Sequence, residues 1–147
     1  MKTSSISQKD IKEEWFLIDA AGMRSGRVAT IAAELLLGKT DPLVRDYLNP
    51  MKKVVVINSS KIDFTAKRGF SKFYKKYSGY PSGLSVQDLD TKFAKDPNFV
   101  IENAVKGMLP KNKKGRMLIT NLKVYTEAIH NHEANKPVVI NAKEFKI

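Results

Sequence analysis

The strongest constraint on the fold is an unbroken β-branched run, Val54-Val55-Val56-Ile57. A strand that is apolar on both faces is typical of a parallel sheet covered on both sides. A second apolar run, Trp15–Ile18, ends at Asp19 and also predicts a buried strand. Between the two runs, apolar residues recur at helical spacing from Val28 to Leu37, and Gly38 supplies a stop signal. Strand, helix and strand in this order predict a βαβ unit, and therefore an α/β layer fold.

Later segments carry local signals for helices. Ser85 and Asp88 fit a capping box, which predicts a short helix over residues 86–93. Asp96 and Pro97 fit the N-cap and the first position of another helix. These signals place a helix directly before the most basic stretch of the chain.

The length of the chain predicts a single domain, residues 1–147, that is large enough to bury a core. Residues 1–13 are polar and predict a flexible arm, or one that becomes ordered on a partner. Val138–Ile140 predicts a strand or a packed tail. The chain has no cysteine, which excludes disulfides and thiolate metal sites. It has no apolar run of signal-peptide or membrane-spanning length, so the cytosol is the expected location.

The charge is strongly positive and unevenly distributed. The chain has 26 basic and 15 acidic residues, a net charge of +11, and residues 61–123 alone hold 14 and 5 of them, or +9. Such a balance favours a polyanionic partner, either nucleic acid or an anionic membrane surface. A membrane-surface helix needs a cationic face, and the clearest helix, 28–37, has few cations.

The most basic stretch runs from Ala104 to Tyr125 and contains no acidic residue. Apolar segments on both sides predict anchors that hold a cationic loop in a fixed geometry, which suits an array of phosphates. The alternative is a merely solvated surface loop. The proposed phosphate contacts, with Arg116 the candidate for a bidentate one, are Lys106, Lys111, Lys113, Lys114, Arg116 and Lys123.

A second basic stretch, residues 61–80, alternates cations with aromatic residues. Cations bind phosphates and exposed aromatics stack on unpaired bases, whereas an amphipathic hairpin would turn its aromatics toward the core. We expect Phe70 and Phe73 to face the core. The proposed RNA contacts are Lys67, Arg68, Lys72, Lys75 and Lys76. The glycines expected to allow close approach of backbone to a ligand are Gly79, Gly83, Gly107 and Gly115.

A third candidate is the turn from Gly22 to Arg27, which leads into the first predicted helix. Free backbone N–H groups there can hold a phosphate, with Arg24 and Arg27 available to an RNA backbone. A nucleotide-hydrolysing loop fails on spacing, because Gly22 and Gly26 enclose three residues rather than four and Arg27-Val28 stands where a Lys-Ser/Thr pair is needed. Gly38-Lys39-Thr40 has the required ending, but Ala33 occupies the position of the first glycine. His130 and His132 lack further ligands for a metal site, so loop packing or a phosphate contact is expected. We predict no metal site and no catalytic constellation.

Part of the basic stretch resembles a known family. Residues 105–110 (Val-Lys-Gly-Met-Leu-Pro), then Gly115-Arg116 and later 122–125 (Leu-Lys-Val-Tyr), resemble the signature of the ribosomal protein L13 family of bacterial and organellar large subunits. The resemblance covers roughly residues 14–138. It departs at 43–53, and Ser82 stands where the family has glycine. Lys76 and Tyr77 stand where the family often has histidines, and residues 139–147 extend beyond the usual end.

The resemblance implies a three-layer α/β/α core with a small, largely parallel sheet. It also implies binding to large-subunit ribosomal RNA early in assembly, contact with neighbouring ribosomal proteins and residence in a cytoplasmic or organellar ribosome. It implies no enzymatic activity, no cofactor, no small-molecule substrate and no membrane partner. The alternative function is a free RNA-binding regulator or chaperone that uses the same surfaces. An enzyme alternative, nucleotide hydrolysis at Gly22–Arg27, is disfavoured by the glycine spacing described above.

Overall fold

A computed structural model of the chain describes residues 6–8, 11–63 and 72–140. Short 3₁₀ turns cover Ser59–Lys61 and Glu133–Asn135. The helices and strands, in chain order, are β1 (Glu14–Asp19), α1 (Ser25–Leu37), β2 (Lys52–Ile57), β3 (Phe73–Tyr77), β4 (Leu84–Asp88), α2 (Leu89–Lys95), α3 (Pro97–Met108), α4 (Lys113–Thr120), β5 (Leu122–Val124) and β6 (Val138–Ile140).

Four strands form a parallel sheet in the order β5-β2-β1-β6. In register, Val54 lies between Phe16 of β1 and Leu122 of β5. The β-branched run therefore occupies an interior strand, as its two apolar faces predict. β3 and β4 form a separate antiparallel hairpin. The predicted α/β fold with a small, largely parallel sheet is confirmed.

One face of the sheet packs on α1, α3 and α4, which together form the main apolar core. Ile18, Val54 and Val56 contribute from the sheet and are fully buried. On the opposite face Trp15 stacks on His132 at a ring-centroid distance of 4.9 Å. Within the described residues, that face carries the 125–137 loop rather than the second helical layer implied by a three-layer core.

Two predicted helix ends agree with the structure. α1 ends at Gly38, whose φ of +72° turns the chain so that the Lys39 N–H reaches the Glu34 carbonyl. α3 begins after Asp96, whose side chain accepts a hydrogen bond from the Phe99 N–H. Both ends were predictable because one residue at each end, Gly38 or Asp96, allows the unpaired backbone groups of the helix end to form hydrogen bonds.

The helix predicted over residues 86–93 is partly wrong. Residues 84–88 form β4, in which Ser85 pairs with Lys76 of β3, so the capping box does not form. α2 begins only at Leu89, with Asp88 at its N-cap position. Pairing with β3 overrides the local capping signal, because it satisfies backbone groups along the whole strand.

Two described residues of the predicted N-terminal arm contact the domain. The Gln8 side chain donates to the Asn49 carbonyl at 2.8 Å and accepts from the Asn49 N–H at 2.9 Å. Ile11 is buried. The arm therefore packs on the domain at these points. Residues 1–5, 9–10 and 141–147, which include most of the C-terminal extension, lie outside the described part of the chain.

A buried lysine connects β2 to the loop after α1. The Lys52 ammonium lies 2.7 Å from Glu14 and 3.0 Å from Asp41, and its side chain is only 2% exposed. Burial lowers the pKa of Lys52, but the hydrogen bonds to Glu14 and Asp41 outweigh it and hold the pKa above 10.5. The pKa of Asp41 lies below 3.8. The main cause is the hydrogen bond that its carboxylate accepts from the Leu43 N–H, and the hydrogen bond from Lys52 is the second cause.

We expect Lys52→Met to lower the free energy of unfolding by about 2 kcal/mol at neutral pH, because it removes two charge-assisted hydrogen bonds. The raised pKa of Lys52 gives stability that is lost as pH rises through the folded value. The lowered pKa of Asp41 gives stability that is lost as pH falls through the folded value. The stability lost in Lys52→Met is therefore largest between about pH 5 and pH 10, and it becomes smaller at more acidic and more alkaline pH.

Urea unfolding at several pH values tests this expectation. Lys39→Met is the control, because Lys39 is exposed and lies only two residues before Asp41 in the chain. A Lys52→Met deficit of equal size at acidic, neutral and alkaline pH would contradict the pairing.

Candidate nucleic-acid interface

The segment predicted as a cationic loop is in large part helix α4, so the prediction of a loop there is wrong. Asn112 is the N-cap, and its side-chain oxygen accepts from the Gly115 N–H at 2.9 Å. Gly115 is buried, and a Cβ built on it would lie 1.8 Å from the Pro110 carbonyl oxygen. The close approach at this glycine is therefore to the chain itself. Glycine disfavours helix in sequence-based reasoning, but the contact with Pro110 requires it here.

The first residues of α4 are cationic, although the start of a helix favours negative charge. Lys113 and Arg116 are exposed, and the first turn has no acidic residue. Lys114 is half-buried and donates to the Asp46 carbonyl at 2.8 Å, so it also tethers α4 to the loop before β2. The cations and the positive end of the helix dipole produce positive potential at the same place.

A cleft of about 490 Å³ lies between the end of α3 and the start of α4. We call it the α3–α4 cleft. Three of its lining residues are the predicted phosphate contacts Lys106, Lys111 and Arg116. None of the three forms an ion pair with a carboxylate in the described residues. The structure thus gathers half of the predicted array around one concave surface.

Lys123 lies apart from that cleft. It is exposed on β5 between Leu122 and Val124, which point toward the core, so its side chain leaves from the other face. Lys123 interacts electrostatically with Glu102 of α3, but burial and Asp96 together outweigh it and hold the pKa of Glu102 above 4.5. The array predicted from sequence is therefore divided between two faces.

The turn before α1 adjoins the end of α3. Arg24 occupies the N-cap position without a capping side chain, and Arg24 and Arg27 are exposed beside a second cleft of about 560 Å³. One turn further along α1, the Thr30 hydroxyl lies 3.7 Å from the Met108 sulfur. Two of the three predicted basic segments therefore lie on neighbouring helices.

The β3–β4 hairpin carries the third set of cations. Lys72 lies over the Tyr74 ring at 5.2 Å, and Tyr74 packs edge-on against Phe99 of α3. Strand alternation sends Lys75 and Lys76 to opposite faces. All three lysines are exposed, but they do not form one patch.

The expectation that Phe73 faces the core is wrong, because its side chain is 51% exposed. Strand alternation places Phe73 on the same face as Tyr77, and that face is open in the described residues. Lys67, Arg68 and Phe70 lie outside the described residues.

The hairpin turn has unusual backbone geometry. Gly79 has a φ of +91° and Ser82 a φ of +61°. A left-handed serine is strained relative to glycine, which gives a physical reason for the glycine expected there. A Cβ on Gly83 would lie 2.0 Å from the Ser78 hydroxyl oxygen, so its contact is internal to the turn. A Cβ on Gly107, by contrast, would meet nothing within 4 Å.

The two histidines belong to the packing of the 125–137 loop. His132 packs at a tilt against Trp15 and edge-on against Tyr125, and the His130 Nδ1 accepts from the His132 N–H at 3.2 Å. The described residues contain no group of three or more metal-binding side chains. No described helix is both long enough and apolar enough to cross a membrane.

Fold and surface together define a class of protein: a small basic α/β domain that exposes cations on its helices. Residues 13–131 match the family described as Ribosomal protein L13. The chain belongs to this family.

Curated relatives from three bacteria are similar over nearly the whole chain, and each is called large ribosomal subunit protein uL13. The relative from Caldanaerobacter subterraneus is 44% identical over 137 residues, which span 93% of this chain and 96% of the relative. The relative from Rippkaea orientalis is 39% identical, spanning 92% and 90%. The relative from Synechococcus elongatus is 41% identical, spanning 98% and 95%.

Proposed function

We infer that this chain is a structural component of the large ribosomal subunit that binds large-subunit ribosomal RNA and supports early subunit assembly. The observation that carries this proposal is the placement of Lys113 and Arg116 in the first turn of α4. Each cation there opposes the helix dipole and costs about 0.3–1 kcal/mol. A phosphate bound there is attracted both by the cations and by the positive end of the helix dipole, so it offsets the repulsion between them.

The mechanism is positional. The apolar core fixes α1, α3 and α4 relative to one another, so their cations hold a fixed arrangement when RNA binds. Phosphate contacts then supply affinity, whereas the shape of the RNA supplies specificity. The domain would clamp separate RNA segments beside neighbouring ribosomal proteins in the cytoplasm, and no chemical step is required of it.

Sedimentation of the tagged chain in a gradient of cell lysate tests the proposal. We expect the chain to remain in the large-subunit peak after a high-salt wash, because many contacts hold a structural component. Loss to the top of the gradient would contradict the ribosomal role and favour a free RNA-binding regulator.

A charge reversal separates folding from binding. Lys113→Glu places an acidic residue where the α4 dipole favours one, so we expect the free energy of unfolding to rise by about 0.3–1 kcal/mol. We expect affinity for large-subunit ribosomal RNA to fall at least tenfold, because one phosphate contact becomes a repulsion. Thermal unfolding and filter binding measure the two effects.

Lys136→Glu is the matched control, since Lys136 is exposed in the 125–137 loop, away from α4. Equal losses of RNA affinity in the two variants would mean that only net charge matters. That result would overturn the assignment of α4 to the RNA face.

A further inference from the structure

We propose that the α3–α4 cleft binds a single unpaired nucleotide of the RNA, with the base inside the cleft and its phosphates on the surrounding cations. This inference rests on the proposed RNA-binding function and specifies its ligand. A surface that contacts only phosphates needs cations but no cleft. The combination of a cleft, apolar walls and cations indicates a ligand that has both an apolar and an anionic part.

The apolar part of the cleft comes from both helices and the segment between them. Leu109 is 4% exposed, and Pro110 and half-buried Ile119 line the same cleft. The volume of about 490 Å³ lies within the range of small-ligand sites. A nucleobase is flat and has apolar faces, so it gains free energy when such walls shield it from water.

The polar part fits a nucleotide rather than an apolar peptide. Asn103 lines the cleft, and its amide forms no hydrogen bond with the other described residues. A side-chain amide both donates and accepts, as the edge of a base requires. Lys106, Lys111 and Arg116 supply charge from three separate positions, which suits consecutive phosphates of a strand better than one free mononucleotide.

Gly107 keeps the cleft open. It lies in α3 and lines the cleft, and a Cβ on it would meet no atom within 4 Å. A larger side chain at this position would enter the empty volume without changing the charge of the surface. Gly107→Phe therefore fills the cleft and leaves the phosphate-binding cations in place.

The test compares two RNA hairpins with the same stem, one of which carries a single bulged 2-aminopurine. We expect the intact protein to bind the bulged hairpin about tenfold more tightly, because the apolar walls of the cleft remove part of one base from water. The fluorescence of the 2-aminopurine should change on binding. Gly107→Phe should abolish both effects and bind the two hairpins equally.

Ala94→Phe is the control, because it adds an exposed aromatic side chain on α2 at unchanged charge. It should keep the preference for the bulged hairpin. If Gly107→Phe lowers the Tm, Gly107→Met fills the cleft with a more flexible side chain and replaces it in the comparison.

Three results would overturn the inference. The first is equal binding of both hairpins by the unmodified protein, and the second is a preference that survives Gly107→Phe. The third is full displacement of the bulged hairpin by millimolar AMP, which would assign the cleft to a free mononucleotide. Failure to bind either hairpin or large-subunit ribosomal RNA would instead contradict the proposed function itself.

Discussion

Gly115→Ala is expected to lower the free energy of unfolding by about 3 kcal/mol. A Cβ at this position would lie 1.8 Å from the Pro110 carbonyl oxygen, and backbone cannot yield as a flexible side chain does. Alanine favours the helical state over glycine by about 1 kcal/mol. A Gly→Ala substitution at an exposed helical site would therefore raise the free energy of unfolding instead. Urea unfolding followed by circular dichroism measures the difference.

Gly107→Ala supplies the comparison for Gly115→Ala. Both glycines lie in helices, but a Cβ on Gly107 meets nothing within 4 Å. We expect Gly107→Ala to be neutral or stabilising by up to about 1 kcal/mol. Gly115→Ala would contradict the packing of α4 on Pro110 if it were as stable as Gly107→Ala.

The second large effect concerns RNA affinity. We expect the triple variant Lys111→Gln, Lys113→Gln and Arg116→Gln to bind large-subunit ribosomal RNA about 100-fold more weakly near physiological salt, from the loss of three phosphate contacts. The three side chains are exposed and none has a carboxylate partner in the described residues, so the Tm should not fall. It should rise slightly, because the variant removes two cations that oppose the α4 dipole.

A second triple variant with the same charge tests whether the location of the cations matters. Lys12→Gln, Lys39→Gln and Lys136→Gln also lower the net charge from +11 to +8, since each variant removes three positive charges. These lysines are exposed outside α3 and α4. Equal weakening in both triple variants would show that the surface at α3 and α4 has no special role.

The core of the fold was predictable because its signals are local and redundant. The β-branched run of β2 is apolar on both faces, and both can be buried only in an interior strand of a covered sheet. The apolar residues of α1 repeat at helical spacing up to Gly38, which ends the helix. Each signal depends on residues close together in the sequence, so no tertiary information was needed.

The candidate site was less predictable because its geometry depends on tertiary contacts. The cationic residues were identified from charge alone. Helix α4 was not predicted, because Gly115 disfavours a helix locally. The need for glycine at this position comes from the nearby Pro110 carbonyl, which only the folded structure shows. The capping role of Asn112, three residues before Gly115, was a signal available in the sequence. No sequence pattern indicated that Asn103 and Ile119 would line one cleft.

The hairpin shows a different limit. Alternation of cations and aromatics predicted an amphipathic strand, but not which face would be covered. Phe73 is half-exposed, whereas Tyr74 contacts Phe99 of α3. The choice of face is set by where the hairpin joins the domain, which the local pattern does not encode.

The salt dependence of ribosomal RNA binding tests the central claim most directly. If about six phosphates are neutralised, log K should fall with log salt at a slope of roughly −4 to −5. The Lys111, Lys113 and Arg116 triple variant should reduce that slope by roughly 2 to 3, because three contacts are gone. A slope near −1 for the unmodified chain would contradict the account.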